Sequence, residues 1–335
     1  MLVIQGTEQY MNLMERLVQQ RPAPFYSQVR WLRLPGYLWR KLKRATGLAP
    51  TAEAAVLAEM VTALRSASNV ALIQKDWNAT VEAVRISAPF VPAWVDAITY
   101  DSVINDALLL TVLQPITYES SDPVYLVEPS AVLVDNGLRV CKWRSCVGYG
   151  PNMDDDETDD FDGKVVFFIS FTNDSIYTSF QSARCYFGSV WDNVLGRIDR
   201  RYVLDKMDAF STQAKFWDFL AGQLFRQVEE YASQNYWNVF KPVSILVAGE
   251  ESAVATPEFH DVVRAVAEKI SESQRKQQDV PQSVGVVIAR EPVYAAARGA
   301  AFWLGTEQDE TYCDEYYESG ELRRPYEEVE RHAEL

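Results

Sequence analysis

Apolar residues recur every three to four positions in two segments near the start of the chain, residues 8–20 and 52–67. This spacing places them on one face of an α-helix, so it predicts two amphipathic helices. Pro50 and Thr51 stand directly before the second segment. Because threonine is a favoured N-cap residue, we expect this helix to begin at Thr51.

Further along the chain, strand-like patterns alternate with helical spacing. Strands are predicted at residues 81–88, 125–127, 138–143, 164–171, 175–182, 243–248 and 284–289. Helices are predicted at residues 95–111, 208–234 and 257–277, with a last helix beginning near Pro292. The tripeptide Thr172-Asn173-Asp174 suits a hairpin turn between two of the strands. This alternation predicts an α/β layer rather than a helical bundle.

The composition is that of a folded protein with a large core. Of the 335 residues, 48% are hydrophobic and 24% are charged, and the length corresponds to about two domains. Uninterrupted apolar runs fall far short of the ~18 residues that a membrane span needs, and no basic and apolar leader opens the chain. The four cysteines, Cys141, Cys146, Cys185 and Cys313, do not make a disulfide framework. We therefore expect a cytoplasmic protein without a membrane span.

The net charge of −15 is concentrated in two acidic segments. Residues 154–162 hold seven acids, and residues 307–335 hold eleven acids and three arginines, so the rest of the chain is neutral. We expect a solvated acidic loop at 154–163, a dispensable acidic tail and no nucleic-acid partner. Residues 21–44 contain seven basic residues and no acid, which fits either an anion site or a solvated helix face.

Motifs for metal-based or nucleophilic catalysis are missing from the sequence. The two histidines, His260 near a helix start and His332 in the acidic tail, do not suit a catalytic triad. Cys141 and Cys146 lack a second pair of zinc ligands, and the acidic run at 154–163 lacks the spacing of a calcium loop. Phosphate-loop and dinucleotide glycine motifs are also missing. We therefore expect no metal and no cofactor.

Three segments resemble, in order and spacing, motifs of the heat-shock chaperone ATPases. Residues 128–138, EPSAVLVDNGL, are similar to the segment at the lobe junction of that family. Residues 245–253, followed by a helix opening at 257–259, resemble its adenosine-side turn, and residues 291–301 resemble its closing helix. Over about residues 81–305 the chain resembles a divergent, truncated member of the superfamily of actin, sugar kinases and heat-shock chaperones. Its form is closest to the short fungal heat-shock-chaperone-like proteins.

The resemblance implies an actin-like (ribonuclease-H-like) ATPase fold with two lobes. It divides the chain into a truncated, helix-rich first lobe at 1–135, a second lobe at 136–306 and the acidic tail at 307–335. Members of this superfamily hold ATP between the lobes, on two hairpins whose glycines let backbone N–H groups approach the phosphates.

Both phosphate hairpins depart from the pattern in this sequence. The first would fall at 3–7, where no aspartate precedes Gly6-Thr7 and a helix stands in place of the second strand. The second, at 170–175, reads Ser-Phe-Thr-Asn-Asp-Ser in place of a glycine-rich turn, and Glu250 replaces a glycine of the adenosine turn. Because phosphoryl transfer depends on positioning and charge neutralisation, these changes predict a degenerate nucleotide site without ATPase activity.

The inter-lobe cleft that remains is the predicted ligand site. Its floor would consist of residues at strand ends, namely Glu128, Ser130, Thr172, Asn173, Asp174, Gly249, Glu250 and Ser252. Asn173, Glu250 and Ser252 are the expected polar contacts, and the sequence assigns no catalytic residue.

Three functions are compatible with such a cleft. The first is a cofactor-free enzyme that cyclises a bulky apolar small molecule, by a pericyclic, Diels-Alder-type closure in fungal secondary-metabolite biosynthesis. The second is a non-catalytic pseudo-ATPase that binds a protein or peptide in the manner of a chaperone. The third is a residual ATP-binding protein. The sequence favours the first, because the ATP motifs are lost while the cleft walls are retained.

Overall fold

The computed structural model describes residues 6–19, 34–77, 79–89, 103–115, 125–136, 165–182, 193–234, 243–277 and 284–308. The four cysteines, the acidic loop, the tail beyond residue 308 and the strand predicted at 138–143 lie outside these residues. So does the first half of the basic segment, residues 21–33.

The described helices fall into an N-terminal group and a group that follows residue 200. They are α1 (Glu8–Gln19), α2 (Leu34–Ala45), α3 (Ala52–Gln74), α4 (Val103–Leu110), α5 (Glu128–Asp135), α6 (Gln213–Gln234), α7 (Glu251–Val254), α8 (Pro257–Gln277) and α9 (Ala295–Gln308). The strands are β1 (Ala83–Val84), β2 (Ile86–Ala88), β3 (Gln114–Pro115), β4 (Tyr125–Val127), β5 (Val165–Phe171), β6 (Ile176–Ser182), β7 (Asn193–Asp199), β8 (Val243–Gly249) and β9 (Gly285–Ile288). A 3₁₀ helix at Leu204–Ala209 precedes α6.

A five-stranded mixed sheet is the centre of the fold. Its spatial order is β7-β6-β5-β8-β9; β5, β6 and β7 are antiparallel, whereas β8 and β9 run parallel to β5. β5 reads VVFFISF and is almost wholly apolar, as expected for a strand that is covered on both faces. The sequence-based prediction of an α/β protein is therefore confirmed. The short parallel pairs β1-β3 and β2-β4 lie outside this sheet.

One face of the sheet packs against α6 and α8 through stacked aromatic rings. The ring centroids of Phe167 and Phe180 are 4.4 Å apart, and those of Phe180 and Tyr231 are 4.3 Å apart. At the other end of β5, Phe171 stacks on Phe259 at 4.6 Å. All five rings are buried, so this face is a close-packed core.

The opposite face packs against α1, α5 and the neighbouring helices. One continuous cluster of buried residues joins Leu13 and Leu17 of α1 to Phe168 and Tyr177 of the sheet. The core therefore extends across residue 135, where the sequence places the boundary between two lobes.

Helices α5 and α9 lie in direct backbone contact. A Cβ atom at Gly299 would stand 1.7 Å from the carbonyl oxygen of Ala131, so only glycine permits this approach. The Arg298 guanidinium adds a bidentate ion pair, donating at 2.7 Å to each carboxylate oxygen of Asp135. The two helices thus come from segments that resemble the chaperone motifs. The small residues of these segments allow the helix backbones to approach closely.

In the described part of the basic segment, two arginines of α2 turn inward, whereas Lys41 lies on the exposed side of the helix. Arg40 donates to the Asp106 carboxylate at 2.7 Å, and Arg44 donates to its other oxygen. Asp106 on α4 is fully buried. A buried carboxylate requires charged partners, which explains why these two arginines turn inward.

The first or last residues of several other elements differ from the predicted ones. Thr51 caps α3 as predicted, accepting from the Ala54 amide at 3.1 Å, but the helix continues to Gln74. The strand predicted at 81–88 is two short strands, β1 and β2, which pair with different partners. The last helix begins at Ala295 instead of near Pro292. β7 was not predicted, and its pairing with β6 contains a register shift.

Candidate functional site

The β5-β6 hairpin closes with a turn that is stabilised by its own side chains. The Thr172 amide donates to the Ser175 carbonyl at 2.9 Å, and the Ser175 amide donates to Thr172 Oγ1 at 2.9 Å. Thr172 Oγ1 also lies 3.0 Å from the carboxylate of Asp174. No residue of this turn has a positive φ angle, so the turn has no conformational need for glycine.

Glu250 and Ser252 bind the tip of this hairpin from the next parallel strand. The Asn173 amide donates to Glu250 Oε2 at 2.8 Å, and the Asn173 side-chain amide donates to Ser252 Oγ at 3.1 Å. The Asn173 carbonyl in turn accepts from the amide of Asp205 at 3.0 Å. The Glu250 carboxylate therefore already accepts the hydrogen bond of the Asn173 backbone amide at the hairpin tip.

Gly249 allows β8 to turn towards the hairpin. Its φ angle is 125°, and a Cβ atom there would stand 2.0 Å from the carbonyl oxygen of Phe171. The neighbouring Glu250 amide donates to that same carbonyl at 2.9 Å, and the Gly249 amide donates to the Pro292 carbonyl at 3.3 Å. The strand-turn-helix arrangement predicted for residues 245–259 is confirmed, and it depends on this one glycine.

Glu128 is a half-buried carboxyl group at the start of α5, directly after β4. Burial raises its pKa from 4.5 to about 7, although a hydrogen bond with Ser170 opposes the shift. Near Glu128 lies Tyr10 of α1, whose pKa is raised to about 12 by burial and, secondly, by the negative charge of Glu128. A large fraction of Glu128 therefore carries a proton at neutral pH, and Tyr10 remains a neutral phenol.

Ser130 lies inside the protein rather than beside the hairpin tip. Gln181 of β6 donates to Ser130 Oγ at 2.7 Å, and both residues are buried. Within the described part of the chain, the other amide atom, Gln181 Oε1, and the buried hydroxyl of Ser179 have no hydrogen-bond partner. A buried water molecule would satisfy the remaining polar atoms of this cluster between α5 and β6.

Six of the eight predicted site residues meet at the hairpin tip: Thr172, Asn173, Asp174, Gly249, Glu250 and Ser252. Glu128 is connected to this group through Ser170, the residue before Phe171. Ser130 belongs to the buried cluster instead. Sequence reasoning missed Tyr10 and did not select Ser170, although Ser170 is the one polar residue of β5.

The described residues offer no cluster for a metal ion. Among them, no three histidine, cysteine, aspartate or glutamate side chains come together. His260 on α8 instead places Nε2 2.8 Å from the carbonyl of Val254, which ties the start of α8 to α7. The chemistry of this site is therefore that of hydroxyl, amide and carboxyl groups.

The chain is similar in structure, but not in sequence, to known proteins. No family model matches the chain, and no curated protein is similar to it. Among solved structures, 46 chains match. One is a chain of the PilM-PilN type IV pilus biogenesis complex, with 13% sequence identity and a TM-score of 0.31 over 60% of this chain. The match spans 57% of that chain, less than two thirds of its length. The class that can be stated is a mixed α/β protein.

Proposed function

We propose that the protein is a cofactor-free enzyme that binds a bulky apolar small molecule beside Glu128 and the hairpin tip and promotes its cyclisation. The observation that carries the proposal is Glu128, a half-buried carboxyl group whose pKa is raised to about 7, so that a substantial fraction is protonated at neutral pH. A neutral carboxylic acid in such a place can donate a hydrogen bond to a substrate carbonyl, which a carboxylate cannot do.

We infer that the sheet belongs to the second lobe of an actin-like fold. Three antiparallel strands followed by two parallel ones, with helices after β7, β8 and β9, support this placement. The narrower kinship with fungal heat-shock-chaperone-like proteins rests on the sequence motifs alone.

Glu250 argues against an active ATPase. Its carboxylate accepts the hydrogen bond of the Asn173 amide, the donor that a phosphate would need at this hairpin. A nucleotide phosphate would have to displace this carboxylate and would be repelled by it at short range. The side chains of the turn also replace the glycines that let a phosphate approach the backbone.

The reaction that fits these groups needs no external oxidant, reductant or base. In a [4+2] closure, three π bonds become one π bond and two new σ bonds, and no proton or electron enters or leaves. The protein has to hold the flexible substrate in its reactive conformation, which lowers the barrier by restricting motion. A hydrogen bond from Glu128 to a carbonyl conjugated to the reacting alkene would withdraw electron density and lower the barrier further.

The test is mass spectrometry of small molecules retained by the protein when it is expressed in its native host. Wild-type protein is compared with Ser252→Trp, which fills the space beside the hairpin tip, and with Ser273→Trp, a matched exposed serine on α8. We expect Ser252→Trp to lose the retained compound and Ser273→Trp to keep it. Equal retention by the two variants would place the binding site elsewhere.

Glu128→Leu separates catalysis from binding, because leucine cannot donate a hydrogen bond. We expect this variant to retain the linear precursor and to form the cyclic product roughly a hundredfold more slowly, the usual cost of a lost transition-state hydrogen-bond donor. Retention of a compound that wild-type protein leaves unchanged would favour the non-catalytic binding protein.

A further inference from the structure

Helix α2 points three large apolar side chains outward and two arginines inward. Leu38, Trp39 and Leu42 are 57%, 59% and 54% exposed to solvent. On the opposite side of the helix, Arg40 and Arg44 bind the fully buried Asp106. A surface helix of a soluble protein normally has the reverse arrangement.

Lysines flank the exposed apolar stripe on both sides. At about 100° per residue, Leu38 and Leu42 lie close together, with Lys41 on one edge and Lys43 beyond Trp39 on the other. The Lys43 ammonium lies 5.8 Å from the centre of the Trp39 ring. The whole segment from residue 21 to residue 44 contains no acid. The surface that fits this stripe is therefore apolar in its interior and negatively charged at its edge.

Helix α3, the next helix along the chain, also exposes apolar side chains. Val70, Ile73 and the following Trp77 are exposed. Among the described residues, α3 is long and apolar enough to cross a membrane, and 11% of its apolar window is buried. Its inner face is nevertheless tied to the protein, since Arg65 donates to the carbonyls of Val81 at 3.0 Å and Thr111 at 2.8 Å. This attachment suits a helix that lies along a membrane surface rather than through it.

We propose that α2 docks the protein onto an anionic phospholipid bilayer, with Leu38, Trp39 and Leu42 entering the headgroup boundary. Leucine and tryptophan on one face with lysines beside them are the pattern of helices that lie in this interface. Asp106 is the positioning residue, because its ion pairs turn the arginines inward and leave the apolar stripe outside. The acidic charge of the chain lies in residues 154–162 and 307–335, so residues 21–44 remain basic. The inference is independent of the proposed enzymatic function.

The test is flotation of the full-length protein with vesicles of phosphatidylcholine alone and with vesicles that also contain phosphatidylserine. We expect wild-type protein to float with the phosphatidylserine vesicles and much less with the neutral ones. The double variant Leu38→Glu/Leu42→Glu should bind at least roughly tenfold more weakly, because two buried leucines are lost. Lys43→Gln should weaken binding to the anionic vesicles only.

Val286→Glu/Ile288→Glu is the matched control. It adds the same two charges at two exposed apolar positions of β9, the edge strand of the five-stranded sheet. We expect it to float like the wild type, and circular dichroism checks that all variants are folded. An equal loss in the control, or no flotation of the wild type, would overturn the proposal. A wild-type dimer that Leu38→Glu/Leu42→Glu separates, without lipid binding, would overturn it too and assign the stripe to a second copy of the chain.

Discussion

The five-stranded sheet and helix α2 are held in place by different interactions. In the sheet, stacked rings such as Phe167, Phe180 and Tyr231 are buried against one another. Helix α2 is instead held by charge, through the ion pairs that Arg40 and Arg44 make with Asp106, and its large apolar residues face outward. The sheet is thus stabilised by packing, whereas the orientation of α2 depends on one carboxylate.

Because of this difference, the packed sheet determines the stability of the fold, whereas α2 presents an exposed surface for recognition. Removal of a ring from the sheet should unfold the whole protein more easily, because the core is continuous. Removal of Asp106 should affect one helix and leave the sheet nearly unchanged. Glu128 lies on the helix that packs against the sheet, where it contacts Ser170 of β5.

The largest expected effect is that of Phe180→Ala. The ring lies between Phe167 and Tyr231, so its loss leaves a cavity and should lower the free energy of unfolding by about 3–5 kcal/mol. Urea unfolding followed by circular dichroism measures the change. Phe219→Ala, at a half-exposed ring on α6, is the control and should cost less than about 1 kcal/mol. Equal costs for the two variants would mean that the sheet face is not a close-packed core.

Glu128→Gln should change how stability depends on pH. In the folded protein Glu128 has a pKa of about 7, against 4.5 without burial, so between these values it is protonated when folded and ionised when unfolded. Wild-type stability should therefore fall as pH rises from about 4.5 to 7, by about 2 kcal/mol for a half-buried group. The glutamine variant lacks this fall and should be the more stable protein at pH 8. Parallel pH profiles for the two proteins would contradict the raised pKa.

Asp106→Ala should release α2 without unfolding the sheet. The two arginines are each about one fifth exposed and can become hydrated if the helix lifts, so we expect a cost of about 1–2 kcal/mol. Amide hydrogen exchange should quicken in α2 and stay unchanged in β5 and β6. Asp261→Ala is the control, since that carboxylate pairs with Arg264 on the surface. Faster exchange throughout the sheet would show that the two regions unfold together.

The smallest expected effect is that of Glu250→Ala, which removes one hydrogen-bond acceptor from the Asn173 amide. We expect a loss of about 1 kcal/mol, measured by thermal unfolding, and no loss for the exposed neighbour Glu251→Ala.

Wild-type protein should show no rise in melting temperature with millimolar Mg-ATP, because tight binding at 100 times Kd would add about 2.7 kcal/mol. A clear rise in the wild type would favour the residual ATP-binding protein.

Local patterns in the sequence determined most of the sheet and its hairpin. The apolar run of β5 predicted a strand, and Thr172-Asn173-Asp174 predicted the turn, because both signals depend on neighbours in the chain. The same is true of the N-cap at Thr51. These features were correctly predicted from short segments, since the interactions that form them are local.

Contacts between distant segments were decided only by the tertiary structure. The sequence did not indicate that Arg40 and Arg44 would meet Asp106, so it missed the orientation of α2. It also placed Ser130 on the cleft floor, where the structure has it buried against Gln181, and it gave no sign of Tyr10 beside Glu128. The physical reason is that the cost of burying a charge or a hydroxyl group depends on the partner that packing brings to it, and that partner comes from another part of the chain.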